Sequence, residues 1–593
     1  MPLIAASRAL AAAPLALIAA APVWAQDAPE ASIVALNDVA VTAVPADLGA
    51  APRTRRSAQP QNGQPLQLRY GPGEPIDPAW VRGHFERAGL IGRPASNAAL
   101  VDMVQIINAA ILRDGLINTG VVIEPQPALE NGGTLRLRLV YGRLGSADGA
   151  SPPIVINWGG KGSRGLSDAF VAAEMRSAAR TPVDAVAIER DFRLLSDHPA
   201  VRTVRADLKA LNAPGEAQLA LSVEAAPRYD LYVTVANNRS PSVGGERAAL
   251  GGSMRNLLAS TDLFSFEGGR TSGVTDAVVS YSAPLIDYDL RLNVRAGLNN
   301  AAVIDPELLA LDISARDRFV EAGISYQFWE RPLTPVEGGR WTSARALSAG
   351  LTFLHRRTRT FLFGKPFSFT PGSVRGRAEY SALRGSIEFV DRGPSQAITL
   401  SLIGTLGLEG TRSDVPGLPQ PDENFTAAAL QLNYARRLTP DRLELRGRLT
   451  VQWTSDLLYT AERFSVGGSN SVRGYRENLI LSDRGAVASV ELAQPFSLSG
   501  RSAGRSDVDL GSFSASLFAD AAYVDNVGAA DPSPRWITGI GASLLWTPSE
   551  ALTARIIYGE ALKSVPVVGR RDLQDKGVQF MVTVRPLYLL GYR

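Results

Sequence analysis

The stretch L-E-L-R-G-R-L-T-V-Q-W, Leu443 to Trp453, changes polarity at every step. Leu443, Leu445, Leu449, Val451 and Trp453 share one face with Gly447, and Glu444, Arg446, Arg448, Thr450 and Gln452 share the other. Side chains along a strand point alternately to its two faces, so this period reads as strand and excludes helix. The pattern recurs in Leu290 to Leu298, where Leu290, Leu292, Val294, Ala296 and Leu298 oppose Arg291, Asn293 and Arg295. Val320 to Phe328, Ala428 to Tyr434 and Val578 to Val584 behave alike. A soluble sandwich also alternates, but its strands are usually shorter and its polar face meets bulk water. Here the strands are long and aromatic residues stand at their ends: Tyr326, Phe328, Trp329, Trp453 and Trp546. In lipid, only a closed barrel pairs every strand N–H and C=O without leaving an edge. Its signature is an apolar band outside and a polar lumen inside. Residues 228–593 provide for roughly 16 strands at about 23 residues per strand and connection.

The N-terminus supports export. Arg8 precedes an Ala/Leu/Ile run that closes on Val23-Trp24-Ala25, the small-residue pattern of a cleavage site, so residues 1–25 read as a secretory signal peptide. No later segment offers about 18 consecutive apolar residues, the length a membrane helix needs. The 61 basic and 58 acidic residues nearly balance, which gives no reason to expect a nucleic-acid partner. The chain has no cysteine, which removes disulfides, thiolate metal sites and a cysteine nucleophile. Its three histidines, His84, His198 and His355, are scattered and read as structural or surface residues. No catalytic residue, cofactor site or metal site is expected, and the chain does not read as an enzyme.

Between the signal peptide and the alternating region the periodicity is different. Residues 26–64 are rich in Ala and Pro and read as a flexible segment, with a short strand conceivable at Ile33 to Val41. A strand at Leu66 to Tyr70 leads into Asp77-Pro78, a helix start with Pro at its first position. From Asn97, residues Leu100, Met103, Val104, Ile107 and Ile111 line one helical face, and Gly115 is the stop. Strands follow at Thr119 to Ile123 and Thr134 to Val140. The order repeats: strand Ile154 to Trp158, helix Leu166 to Ala178, a helix capped by Asp184, then strands Val201 to Leu208 and Gln218 to Val223. One larger α+β domain accounts for the same elements, but the matched order favours two small modules, at 65–146 and 147–227, forming a periplasmic recruiting arm.

One loop of the alternating region carries a motif: F-S-V-G-G-S-N-S-V-R-G-Y-R-E, Phe464 to Glu477. With its glycines Gly467 and Gly468 and its Arg473-Gly474-Tyr475 tip, it resembles the long sixth extracellular loop of the POTRA–barrel outer-membrane superfamily. The chain looks most like the two-partner secretion transporters (TpsB, the hemolysin/hemagglutinin secretion-activation type). I-E-P-Q at 123–126 with G-G-T-L-R-L-R-L-V-Y-G-R at 132–143 resembles the end of that family's first POTRA domain. V-A-N-N-R-S-P-S-V-G-G-E-R at 235–247 with R-N-L-L at 255–258 resembles its first barrel strands. The resemblance covers roughly residues 65–593 and implies a mainly β fold: two periplasmic α/β POTRA domains, then a 16-stranded transmembrane β-barrel in the outer membrane of a Gram-negative bacterium. It implies recognition of a secreted partner protein in the periplasm and its passage, unfolded and without ATP, to the cell surface. The alternative is an outer-membrane barrel-assembly or insertase-type relative. Other implied partners are outer-membrane lipid and, during biogenesis, periplasmic chaperones and the barrel assembly machinery. It further implies that the loop folds into the lumen, where Arg473 pairs with the aspartate of a Phe-x-Asp strand motif, here Phe518-Ala519-Asp520. Two features depart from the family pattern. Residues 26–64 show no clear amphipathic plug helix, and the sequence ends on Arg593, after the aromatic Tyr592.

Overall fold

A computed structural model of the chain describes residues 33–44, 76–127, 129–146, 152–160, 162–336, 339–413, 420–440, 442–500, 508–567, 569 and 571–591. The expected signal peptide, the strand at Leu66 to Tyr70 and Tyr592 lie outside the described residues. The chain divides after Ala226 into two units.

The first unit holds two small sheets. In the first, β1 (Ile33–Val44), β2 (Gly120–Ile123) and β3 (Gly133–Val140) combine with α1 (Pro78–Arg87) and α2 (Asn97–Arg113). β3 lies between β1, to which it is parallel, and β2, to which it is antiparallel. Asp77 accepts from Trp80 N at 2.7 Å and Ser96 from Ala99 N at 3.2 Å, so both helices start on a side-chain cap. Their apolar faces (Val81, Phe85, Leu100, Ile107, Ile111) pack on Leu36, Val39, Leu135, Leu137 and Leu139, all buried. β1 is the strand conceivable at Ile33 to Val41, extended to Val44, and over these residues it replaces the reading of 26–64 as flexible. A bulge between Leu36 and Asp38 puts its buried residues, Leu36 and Val39, three apart, which hides the strand period. Its partner β3 is far along the chain, where local pattern cannot reach.

The second sheet follows the same plan: β4 (Ile154–Trp158), α3 (Asp168–Glu174), α4 (Ala185–Asp197), β5 (Val201–Ala210) and β6 (Glu216–Ala225). β6 is parallel to β4 and antiparallel to β5. The helix expected at Leu166 to Ala178 is shorter and continues as a 3₁₀ turn at Arg176–Ala179. The Asp184 carboxylate caps α4 through Val186 N and Ala187 N.

The second unit is a closed antiparallel barrel of sixteen strands. They are β7 (Tyr229–Ala236), β8 (Arg247–Arg255), β9 (Leu263–Arg270), β10 (Val274–Pro284), β11 (Leu290–Ala302), β12 (Ser314–Arg331), β13 (Ala344–Leu362) and β14 (Arg377–Arg392). The second half is β15 (Gln396–Gly410), β16 (Thr426–Arg437), β17 (Glu444–Thr454), β18 (Arg484–Gly500), β19 (Val508–Asp525), β20 (Trp536–Ser549), β21 (Leu552–Ala561) and β22 (Val578–Val584). β22 closes on β7 through Met581 to Val584 against Val233 to Ala236, the shortest ladder of the wall. No described helix is long and apolar enough to cross a membrane. Val320, Ile324, Leu351, Phe353, Ile387, Val490, Leu517, Ile540 and Ile556 are exposed on the outside, where apolar side chains meet lipid. Because β7 directly follows the first unit in the chain, connections after odd-numbered strands lie at the mouth opposite the one where the chain enters the barrel, the extracellular mouth.

Candidate functional site

The connection between β17 and β18 does not stay at the mouth. Phe464–Val466 pairs with Ile480–Ser482 as a short hairpin, and the residues between them turn into the lumen. Gly467 and Gly468, at φ of 103° and 102°, make the turn in a region other residues rarely adopt. A hairpin core of Phe464, Val466, Val472, Tyr475 and Ile480 packs on Val487, Ala522, Val524 and Ile537 of the inner wall.

At the tip, Arg473 is 2 % exposed and Asp520 on β19 is 3 % exposed. Arg473 Nε donates to Asp520 Oδ2 at 2.7 Å and Nη2 to Oδ1 at 2.8 Å, a two-pronged bond, and the Arg473 backbone N–H adds a third at 3.0 Å. Nη1 donates to Glu491 Oε2 at 2.6 Å and Nη2 to Ser489 Oγ at 3.0 Å, both from β18. The guanidinium stacks on the Phe518 ring, 3.4 Å from its centroid. Alternation along β19 turns Phe518 and Asp520 inward together, and the register aligns Ser489 with Asp520 and Glu491 with Phe518. One loop arginine is thereby held by two adjacent strands.

The backbone of the tip lies against a smooth part of the wall. Gly539 faces Arg473 O and Gly559 faces Gly474 N, close enough that a Cβ at either glycine would collide. A Cβ on Gly474 itself (φ 96°) would stand 3.0 Å from the backbone of Gly559, Glu560 and Ala561. The single Tyr475 hydroxyl proton is shared between the carbonyls of Thr538, at 3.0 Å on the wall, and Lys563, at 2.9 Å just past β21, and the oxygen accepts from Lys563 N. All eight residues singled out in the sequence (Phe464, Gly467, Gly468, Arg473, Gly474, Tyr475, Phe518 and Asp520) belong to this one assembly.

Sequence reading missed the rest of the contact set. Glu491 is the second carboxylate on Arg473, with Arg446 at 3.5 Å and Arg555 at 3.9 Å behind it. Arg476 binds Asp575 with both prongs, at 2.6 and 2.7 Å. Gln574 accepts from Glu477 N and donates to the carbonyls of Asn237 and Arg239 at the end of β7. The Asn237 side chain bonds Val578 O and Phe580 N, adding to the backbone bond from Asn237 N to Phe580 O and extending the short seam. Beside the tip lies a lumen cavity of about 310 Å³ bordered by Arg446, Arg448, Arg555, Glu491 and Asn433. Among the described residues no group of His, Asp and Glu is arranged to hold a metal ion.

A closed sixteen-stranded barrel with an inward-folded loop, preceded in the chain by two α/β modules, defines an outer-membrane β-barrel protein with a two-module N-terminal unit. The chain matches the family described as Haemolysin secretion/activation protein ShlB/FhaC/HecB over residues 347–541, which include the loop and both strands that hold it. That match spans about a third of the chain and lies wholly within the barrel. The fold is similar to that of CdiB from Escherichia coli (TM-score 0.59, 16% identity, 94% of this chain and 92% of that one). It is also similar to CdiB from Acinetobacter baumannii (TM-score 0.54, 15% identity, 94% and 91%). No curated protein matches by sequence.

Proposed function

We propose that the chain recruits an exported partner protein in the periplasm through its two-module arm and conducts it, unfolded, through the barrel to the cell surface without ATP. The observation that carries this reading is how the loop is held. Its tip fills part of the lumen, yet at that tip it is fastened by a compact set of polar bonds that can be released while the barrel ladders stay intact. Folding of the partner outside would bias an otherwise reversible passage. Recognition by strand addition at a module edge would account for uptake, since main-chain bonds demand little of the partner's sequence. Outer-membrane lipid surrounds the barrel, and its assembly would draw on periplasmic chaperones and the barrel assembly machinery. The chemistry is transport, with no catalytic role assigned to any residue.

The test is co-expression with an exported, repeat-rich protein encoded beside this one. Arg473→Ala should lower its secretion while the barrel still inserts; undiminished secretion refutes the role of the loop. The short β22–β7 ladder favours a second reading, an insertase that opens this seam sideways. The chain has no cysteine, so a disulfide joining Thr234→Cys and Thr583→Cys, residues in register across the seam, separates the two. Passage through the lumen survives that staple, and lateral release does not.

A further inference from the structure

On the outer wall, β12, β13 and β14 carry successive rows of residues in register. Ala322, Phe353 and Leu383 form an apolar row, followed toward the extracellular mouth by Val320, His355 and Ser381. The next row is Arg318, Arg357 and Glu379, and the last is Arg316, Arg359 and Arg377. Val320, Leu351 and Phe353 are exposed on the lipid side, and a period of two puts these arginines on the same side. Like charges directly opposite each other weaken a sheet. Yet Arg316 opposes Arg359, Arg359 opposes Arg377, and Arg318 opposes Arg357. Glu379 is the one carboxylate within these rows: it pairs with Arg377 and stands 3.6 Å from Arg357 Nε and 3.4 Å from His355 Nε2. Arg316 lies over the Phe361 ring, 5.1 Å from its centroid. No carboxylate among the described residues is paired with Arg316, Arg318 or Arg359.

We propose that this rim binds a phosphate-bearing lipid headgroup of the outer leaflet. The arginines begin where the apolar band ends, which is headgroup depth. Guanidinium forks match phosphate oxygens in pairs, and an anion seated between the rows turns the cross-strand repulsion into attraction. A free anion at so exposed a site would be screened by salt, whereas a lipid is held at high local concentration by its own chains.

The test uses the full-length protein reconstituted in nanodiscs of phosphatidylcholine containing lipid A, followed by detergent extraction and native mass spectrometry of the lipid retained. Wild type should keep bound lipid A, and the R316Q/R318Q/R359Q variant should keep less by at least about tenfold. The folded state of the variant is checked by its heat-modifiable migration. Wild type should likewise discriminate against enzymatically dephosphorylated lipid A, a comparison that needs no variant. Equal retention in either comparison overturns the proposal. So does binding of inorganic phosphate that is as tight as that of lipid A.

Discussion

Replacing Arg473 by Ala removes its four side-chain hydrogen bonds at once. Two carboxylates lose their partner, but not equally. Glu491 keeps Arg446 and Arg555 within 4 Å, so its loss is softened. The Asp520 side chain is fully buried and retains only the backbone N–H of residue 473. Stranding one partner of a buried pair costs about 3–5 kcal/mol. The lower end applies here, because a vacated lumen admits water to Asp520. About 3 kcal/mol amounts to about a hundredfold shift toward the undocked loop. The cysteine-free chain allows a direct assay: Val472→Cys places a thiol at a position with 0 % exposure. Its rate of maleimide labelling in intact cells should rise by about two orders of magnitude when Arg473→Ala is added. Arg473→Lys should recover only part of the protection, since an ammonium cannot make the two-pronged bond. In a double-mutant cycle, Asp520→Ala should cost little once Arg473 is gone. A labelling rate unchanged by Arg473→Ala would show that the arginine does not hold the loop.

Other positions should respond in graded ways. Gly474→Ala brings a Cβ against the β21 backbone at a left-handed φ and should raise the same labelling rate without touching any charge. Gln574→Ala removes bonds to both the loop and the end of β7, at about 1–3 kcal/mol; the temperature at which the folded band unfolds on a gel should drop. Asn108→Ala leaves both Val121 N and Val121 O without their amide partner, so calorimetry should show the arm transition lowered and the barrel transition unmoved.

The barrel was legible because its chemistry is periodic: each strand must show lipid on one side and the lumen on the other, and Leu443 to Trp453 states that demand residue by residue. The motif of the loop was legible because its turn needs glycines at fixed positions. What sequence did not disclose are pairings that depend on closure of the barrel. Glu491 is one inward-facing polar residue among many until the register sets it opposite Phe518, two rungs from Asp520. Gln574 and Asn237 stand more than three hundred residues apart in sequence and meet only because the last strand returns to the first. β1 was legible only as a short strand conceivable at Ile33 to Val41, because a bulge breaks its alternation.

The placement of the polar contacts bears on how such a loop could move. A plug held by apolar packing alone would expose a contiguous apolar surface on leaving, at a cost that grows with the area uncovered. Here the deepest contact is a charge seated among charges. The cavity beside it is bordered by Arg446, Arg448 and Arg555, cations that can turn to Asp520 and Glu491 once Arg473 withdraws. The wall behind the tip is glycine at Gly539 and Gly559, so withdrawal uncovers backbone that is already paired in its ladder. Each polar group left behind therefore keeps a partner in the wall or gains water, and the apolar area uncovered is confined to the patch of Val487, Ala522, Val524 and Ile537. That is why the hundredfold figure for Arg473→Ala, not complete collapse of the barrel, is the outcome the geometry requires.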